Sequence, residues 1–402
     1  MSTTPESKLF KLIQGMDLPD LKADYRYPLP LTMKSISAHN SGFKALLEAL
    51  GDDAAGNRLG SNASKTKDAM RLILMNFADS IFTRKWTIFP GDKAAYSKGK
   101  YLSDKLFLGF NRVQDCLRVL EENALVDKRK GYVDTYGKRL PNKYFPTIKL
   151  QEKIWDAYLS LEQDITPPYV EVKESRLVAN EDDIKKLTII NEFMKDQTWA
   201  SKGPIILKYI EPPIKGGRVY TNFQNLPSNK IPVRINTLIN NNSIVEIDYT
   251  ANHIRMALAF NGVTPPDDPY SAILELVSDC KDREQVKVFI NRSLGADDEV
   301  KAFNACKDKR VNKILFNKLK EATHKLYPKL ILFKSVGTLL QSIEGQMSID
   351  IMLSAEKNNI AVLPVHDSYC VEESNEQWLL NEMQQVWKKH NNFDAAIKIK
   401  KA

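Results

Sequence analysis

Two aspartates in this sequence end apolar runs. Ile244-Val245-Glu246-Ile247-Asp248-Tyr249 reads as a buried strand closing on a carboxylate, and Ile254, Met256, Ala257, Leu258 and Phe260 follow at helical spacing. Ile360-Ala361-Val362-Leu363-Pro364-Val365 is a second apolar run. It leads into the polar tip His366-Asp367-Ser368-Tyr369, after which Cys370-Val371 resumes the strand as a hairpin. A carboxylate at a strand tip is well placed to meet a ligand. Alone, each Asp is an ordinary turn or surface residue. If the two strands are neighbours, Asp248 and Asp367 form a site for two hard cations such as Mg²⁺. Phosphoryl transfer uses two such ions about 3.5–4 Å apart, one at the attacking oxygen and one at the leaving oxygen.

Between them lies a predicted helix with Arg283, Lys287 and Asn291 at i, i+4 and i+8, and with Val286, Phe289, Ile290 and Leu294 on the buried side. Arg grips phosphate with a planar fork and Lys as a point charge, so one turn of this row can hold a triphosphate. Lys287 can also donate a proton to departing pyrophosphate.

The rest of the chain must position these groups. Helical spacing at Met70, Leu72, Ile73, Phe77 and Ile81 precedes a short β-like Trp86-Thr87-Ile88-Phe89. A break at Gly109 is followed by the stripe Val113, Cys116, Leu117, Leu120. Then comes Leu125-Val126-Asp127-Lys128-Arg129-Lys130-Gly131-Tyr132-Val133, read as strand, turn and strand. This predicts a helix-turn-helix with a wing. Between 128 and 153 there are eight basic and two acidic residues, interleaved with Tyr132, Tyr136, Tyr144 and Phe145. Lys128, Arg129 and Lys130 are the candidate nucleic-acid contacts, because basic side chains neutralise phosphates and aromatics between them can stack. Residues 1 to about 65 are poorly patterned. Pro167-Pro168 marks a linker, 180–197 reads as a charged helix, and 205–248 is strand-rich.

Composition bounds the class. The 402 residues carry Lys+Arg 58 against Asp+Glu 50, a net charge of +8, with 43% hydrophobic residues. This is a globular enzyme's balance, compatible with a phosphate-rich partner. Cys116, Cys280, Cys306 and Cys370 have neither metal-ligand spacing nor the density of a disulfide framework. Residues 1–14 contain no apolar signal core, and no run approaches a membrane span. The expectation is a soluble protein of the cytoplasm, with no membrane partner. Secreted, collagenous, membrane and wholly disordered classes are excluded.

The ordered set Gly217-Arg218-Val219-Tyr220, Asp248, Arg283 with Lys287, and His366-Asp367-Ser368 resembles the single-subunit RNA polymerases of phages and mitochondria, relatives of the family A DNA polymerases. The resemblance covers roughly 205–375. It implies an α/β right-hand fold of palm and fingers, with the winged-helix-like helical region before it. It implies that Asp248 and Asp367 bind two Mg²⁺, that Arg283 and Lys287 hold the incoming NTP, and that Arg218 contacts nucleic acid. His366 falls where the product 3′ end would pass. On this basis the chain divides into an extension (1–65), a winged-helix-like region (66–163), a linker and helix that is a candidate thumb remnant (164–204), a first palm segment (205–262), fingers (263–335) and a second palm segment (336–402).

RNA synthesis is favoured by His-Asp-Ser, by Gly-Arg-Val-Tyr, by Asp268-Pro269-Tyr270, and by His253 where family A DNA polymerases carry Glu. Asn222-Phe223-Gln224-Asn225-Leu226-Pro227 instead resembles the DNA enzymes. The family's fingers Tyr falls on Gly295, or on Leu294 with a one-residue gap, and its sugar-sensing His aligns with Gln341. The motif gaps, 283 − 248 = 35 and 367 − 283 = 84, and the roughly 200 residues before Gly217 are short for the large phage enzymes. A reduced catalytic core follows. A second polymerase subunit, or a protein delivering promoter or single-stranded DNA, would supply the missing elements in a bacterial host. DNA template, RNA product and NTPs are the implied ligands. A small family A-like DNA polymerase and an inactive winged-helix replication or regulatory protein remain the alternatives.

Overall fold

The computed structural model describes residues 5–18, 25–26, 28, 41–104, 106–132, 141–159, 165–173, 178–228, 232–306 and 311–401. The distal half of the predicted wing, 133–140, lies outside the described residues. The chain is mixed α/β with small sheets and divides into two compact units. The first comprises Met1–Asp164, Trp199–Gly203 and Asn225–Leu238, and the second comprises Ile165–Thr198, Pro204–Gln224 and Ile239–Ala402.

The first unit runs α1 (Pro5–Gln14), β1 (Tyr25–Arg26), α2 (Ser41–Ala55), α3 (Gly60–Thr83), β2 (Trp86–Ile88), α4 (Tyr101–Asp104), α5 (Phe110–Glu122), β3 (Val126–Arg129), β4 (Lys143–Pro146) and α6 (Ile148–Leu159). Its strands lie in the order β1-β2-β4-β3, antiparallel except for β1 with β2. The α5 stripe Val113, Cys116, Leu117, Leu120 is buried as its spacing predicts, and Trp86, Phe89, Tyr144 and Phe145 form an aromatic core. Residues 1–65 hold more structure than their pattern suggested. Helix α2 continues through Gly51-Asp52-Asp53, and the boundary drawn at 65 falls inside α3. Leu47, Leu50 and Ala54 supply a buried face at i, i+3 and i+7 that the surrounding polar residues obscure in sequence.

The second unit opens with β5 (Val170–Val172), α7 (Glu181–Lys195), β6 (Ile206–Tyr209) and β7 (Arg218–Tyr220). Strands β5 and β6 are parallel, with α7 crossing between them, and β7 adds antiparallel to β6. Asn180 caps α7 by accepting from Asp182 N–H, and Leu187, Ile190 and Met194 bury its inner face. The segment 164–204, expected as a linker and helix, therefore contributes a strand and a packed helix. The two-residue β8 (Leu238–Ile239) precedes β9 (Asn242–Tyr249). Helices α8 (Asn252–Phe260), α9 (Pro269–Glu275), α10 (Arg283–Gly295), α11 (Glu299–Cys306), α12 (Lys313–Leu326) and α13 (Val336–Lys357) follow. Then come β10 (Leu363–Val365), β11 (Ser368–Glu372), α14 (Glu376–Asn391) and β12 (Ile397–Lys400). Four of these strands form an antiparallel path, β10-β11-β9-β12. Ile247 and Tyr249 are buried on one face of β9, with the Tyr249 hydroxyl donating to the Met383 carbonyl of α14 (2.7 Å). Glu246 and Asp248 alternate onto the other face. All four cysteines are free thiols and buried.

Candidate active site

Sheet register brings the two strand-tip aspartates together. On β11 and β9, Ser368 stands opposite Asp248 and Tyr369 opposite Ile247. Val365 pairs with Ser368, so His366-Asp367 is the entire turn of the β10–β11 hairpin. His366 takes the left-handed conformation there, with φ of 59°. The Tyr249 N–H donates to the Asp367 carbonyl (3.1 Å), fixing the turn against the end of β9. Burial and the neighbouring Asp367 charge raise the Asp248 carboxyl well above the usual carboxylate range. Burial and the charge of Glu344 raise Asp367 likewise. Two hard oxygen donors that repel one another suit a divalent cation. Mg²⁺ is held by one or two carboxylates together with water and substrate phosphates, so this pair fits it.

Glu344 organises the adjacent wall. It is 1% exposed. Arg218 donates from Nε to one Glu344 oxygen (2.8 Å) and from a terminal nitrogen to the second (3.3 Å), and His253 Nε2 lies 2.9 Å from that second oxygen. Burial alone would raise the Glu344 carboxyl, but the His253 hydrogen bond and the charges of His253 and Arg218 outweigh it and hold the carboxyl at about 2. Arg218, expected as a nucleic-acid contact, lines the cleft with two of its donors held by Glu344. The local backbone explains why. Gly217 has φ of 52°, and a Cβ on Gly345 would fall 1.6 Å from the Gly217 carbonyl oxygen. Helix α13 thus presses backbone to backbone on the start of β7, bringing Glu344 to Arg218.

The facing wall comes from α9 and α10. Asp282 caps α10 by accepting from Gln285 N–H (2.9 Å), and Arg283, Lys287 and Asn291 line the cleft. Arg283 is already clamped, donating to both oxygens of Asp268 (2.8 and 3.0 Å) and lying 4.9 Å from the Tyr270 ring centre. Asp268 also caps α9, accepting from Tyr270 and Ser271 N–H, while the Tyr270 hydroxyl donates to Asn291 (3.3 Å). Arg283 thereby keeps a fixed orientation with N–H donors to spare. Replacing Asp268 with Asn should loosen this charge-assisted fork and lower the melting temperature by a few degrees, about the shift expected for roughly 1 kcal/mol. Thermal melts would measure it.

These groups surround a cleft of about 1050 Å³ whose lining includes Asp248, Asp367, Arg218, His253, Glu344, Asp268, Tyr270, Arg283, Lys287, Asn291, Gln341, His366 and Lys398. Gly295 also lines it, with nothing within 4 Å of where its Cβ would be, so the cleft is open at that point. Glu344, Gly345, Tyr270 in its packed role, and Lys398 escaped the sequence reading. The Glu344-Gly345 pair within a 22-residue helix was the available signal, since a charge and a glycine inside an apolar helical run need a partner. In the first unit, Lys128, Arg129 and Lys130 are all exposed, and Lys128 pairs with Glu121 (2.9 Å) and lies over the Tyr144 ring. No protein-family model and no curated protein matches this chain, so the reading of the cleft rests on its own chemistry.

Proposed function

We propose that this protein is a DNA-templated RNA polymerase, or the catalytic subunit of one, with the second unit as palm and fingers. The observation that carries this reading is the register that sets Asp248 and Asp367 side by side at the tip of an antiparallel sheet, facing a cleft whose other wall presents Arg283 and Lys287. Asp248 and Asp367 would hold two Mg²⁺, which when bound supply Lewis acidity to the attacking and leaving oxygens. Arg283, oriented by Asp268, and Lys287, an exposed ammonium, bind the triphosphate. Asn291, His253 and Gln341 lie along the same cleft and position the base and sugar. Attack of the 3′-hydroxyl on the α-phosphate releases pyrophosphate, and Lys287 donates the proton that the leaving group takes.

In the first unit, the order α3-β2-α4-α5-β3-β4 with strand order β2-β4-β3 supports the winged-helix reading, with Arg129 at the end of the wing strand and Lys130 just after it as DNA contacts. A second subunit or a DNA-delivering protein and a bacterial cytoplasm belong to the same proposal. Among the described residues, no helix is long and apolar enough to cross a membrane. The run Asn222-Phe223-Gln224-Asn225-Leu226-Pro227, which resembles the family A DNA enzymes, favours DNA synthesis as the second reading.

Extension of a labelled RNA primer on single-stranded DNA with Mg²⁺ tests the proposal. The expected result is extension with NTPs and none with dNTPs. Preference for dNTPs would transfer the protein to the second reading. No extension with either, even with host lysate added, would overturn both.

A further inference from the structure

Four fixed cations line the cleft: Arg218, Arg283, Lys287 and Lys398. Arg218 is bound to Glu344 and Arg283 to Asp268. Lys287 and Lys398 are exposed and make no ion pair or hydrogen bond among the described residues. The two come from different walls, Lys287 from α10 and Lys398 from β12.

Strand β12 is placed by register. Lys398 stands opposite Asp248 and Lys400 opposite Glu246, while Ser368 and Cys370 occupy the corresponding places on the other side of β9. Two rows therefore cross one face of the sheet, Ser368–Asp248–Lys398 at the tip and Cys370–Glu246–Lys400 behind it. In the rear row the lysine is used internally. Lys400 Nζ is 3.1 Å from a Glu246 oxygen, and that carboxylate, 3% exposed, also accepts from the Ser368 hydroxyl. The front row repeats the pairing in sequence, but its ammonium is left for a ligand.

We propose that Lys398 binds the terminal phosphodiester of the growing strand, making the C-terminal strand the product-side wall of the cleft. The inference rests on the polymerase reading. In-line displacement puts the attacking hydroxyl and the leaving pyrophosphate on opposite sides of the α-phosphate. With α10 holding the triphosphate, the polyanion carrying the attacking hydroxyl must lie along another wall. A phosphodiester arriving beside Asp248 meets a carboxylate on which Lys400 and Lys287 already act, and Lys398 adds a further cation in the cleft lining. A lysine serving only to keep an edge strand from pairing with other chains would need no place in this row.

The test uses full-length wild type, Lys398→Ala and Lys398→Arg. Affinity for a fluorescent RNA–DNA hybrid is measured by anisotropy over a range of KCl concentrations, and KM for NTP by primer extension. For Lys398→Ala, hybrid affinity should fall about tenfold, as for loss of one charge-assisted contact, and the slope of log K against log[salt] should become shallower by about 0.7–0.9. KM for NTP should stay unchanged, and Arg should restore both hybrid readouts. Unchanged hybrid affinity and slope in Lys398→Ala, where the wild type extends primers, would overturn this inference alone. A raised KM for NTP with normal hybrid binding would also overturn it. A wild type that neither binds the hybrid nor extends a primer would overturn the polymerase reading and the inference with it.

Discussion

Asp367→Asn should reduce nucleotide incorporation on the order of 10³-fold or more, and should at the same time make the metal-free protein more stable. The loss follows from the charge that the carboxylate brings to a divalent cation, an interaction worth several kcal/mol at the transition state. The gain follows from the apo electrostatics. Burial and neighbouring carboxylates raise both Asp367 and Asp248 above their ordinary range, so each takes up a proton more readily folded than unfolded. For acids shifted in this direction, stability falls as pH rises from the ordinary carboxylate pKa through the folded value, and is regained on acidification. Wild type in EDTA should therefore lose thermal stability on going from mildly acidic to neutral pH. Asp367→Asn should flatten that dependence and melt about 2–4 °C higher at neutral pH, the shift expected for roughly 1 kcal/mol. Scanning calorimetry across pH, paired with primer extension, reads both arms. Lower stability at every pH would show that Asp367 is a structural turn residue and would remove it from the site.

Gly345→Ala is expected to be among the most damaging single methyl additions in the second unit. Its Cβ would sit 1.6 Å from the Gly217 carbonyl oxygen and 2.8 Å from the carbonyl carbon, and neither atom belongs to a side chain that can turn away. Overpacking of this kind costs about 1–3 kcal/mol when neighbours yield. Here the yielding element would be the strand that carries Arg218 to Glu344. Separating a buried carboxylate from its partner adds about 3–5 kcal/mol. The combined effect should appear as insolubility or as a fall in melting temperature of about 10 °C or more. Gly295→Ala is the control. A Cβ there meets nothing within 4 Å, and Ala is the better helix former by up to about 1 kcal/mol, so stability should hold or rise slightly. Equal stability of the two variants, measured by thermal melts, would mean that the helix–strand contact is not as close as described.

Helix α7 and the α5 stripe were legible in the sequence because each encodes burial through spacing that recurs within a turn or two. The aspartates at strand ends were legible for a related reason. A carboxylate directly after Ile-Val-Glu-Ile, or inside a two-residue turn between apolar runs, marks its own place on a sheet. The helix row of Arg283 and Lys287 needed only a period of 3.6 residues. Helix α2 escaped because its buried residues are diluted by charge, and local pattern does not report a face that only packing reveals.

By itself, then, the sequence determined the strongly periodic elements, and that two strand ends and one helix row carry carboxylates or cations of the kind that can handle metal and phosphate. The tertiary structure decided which of those groups are free to do so. Arg218 carries no mark in sequence of Glu344, 126 residues away, which takes two of its donors. Arg283 is held in one orientation by Asp268 with donors to spare, and only register places Lys398 opposite Asp248. The physical reason is that a charge's availability depends on its nearest partner in space. That partner is set by strand register and by glycine-permitted backbone contact, and neither leaves a periodic mark along the chain.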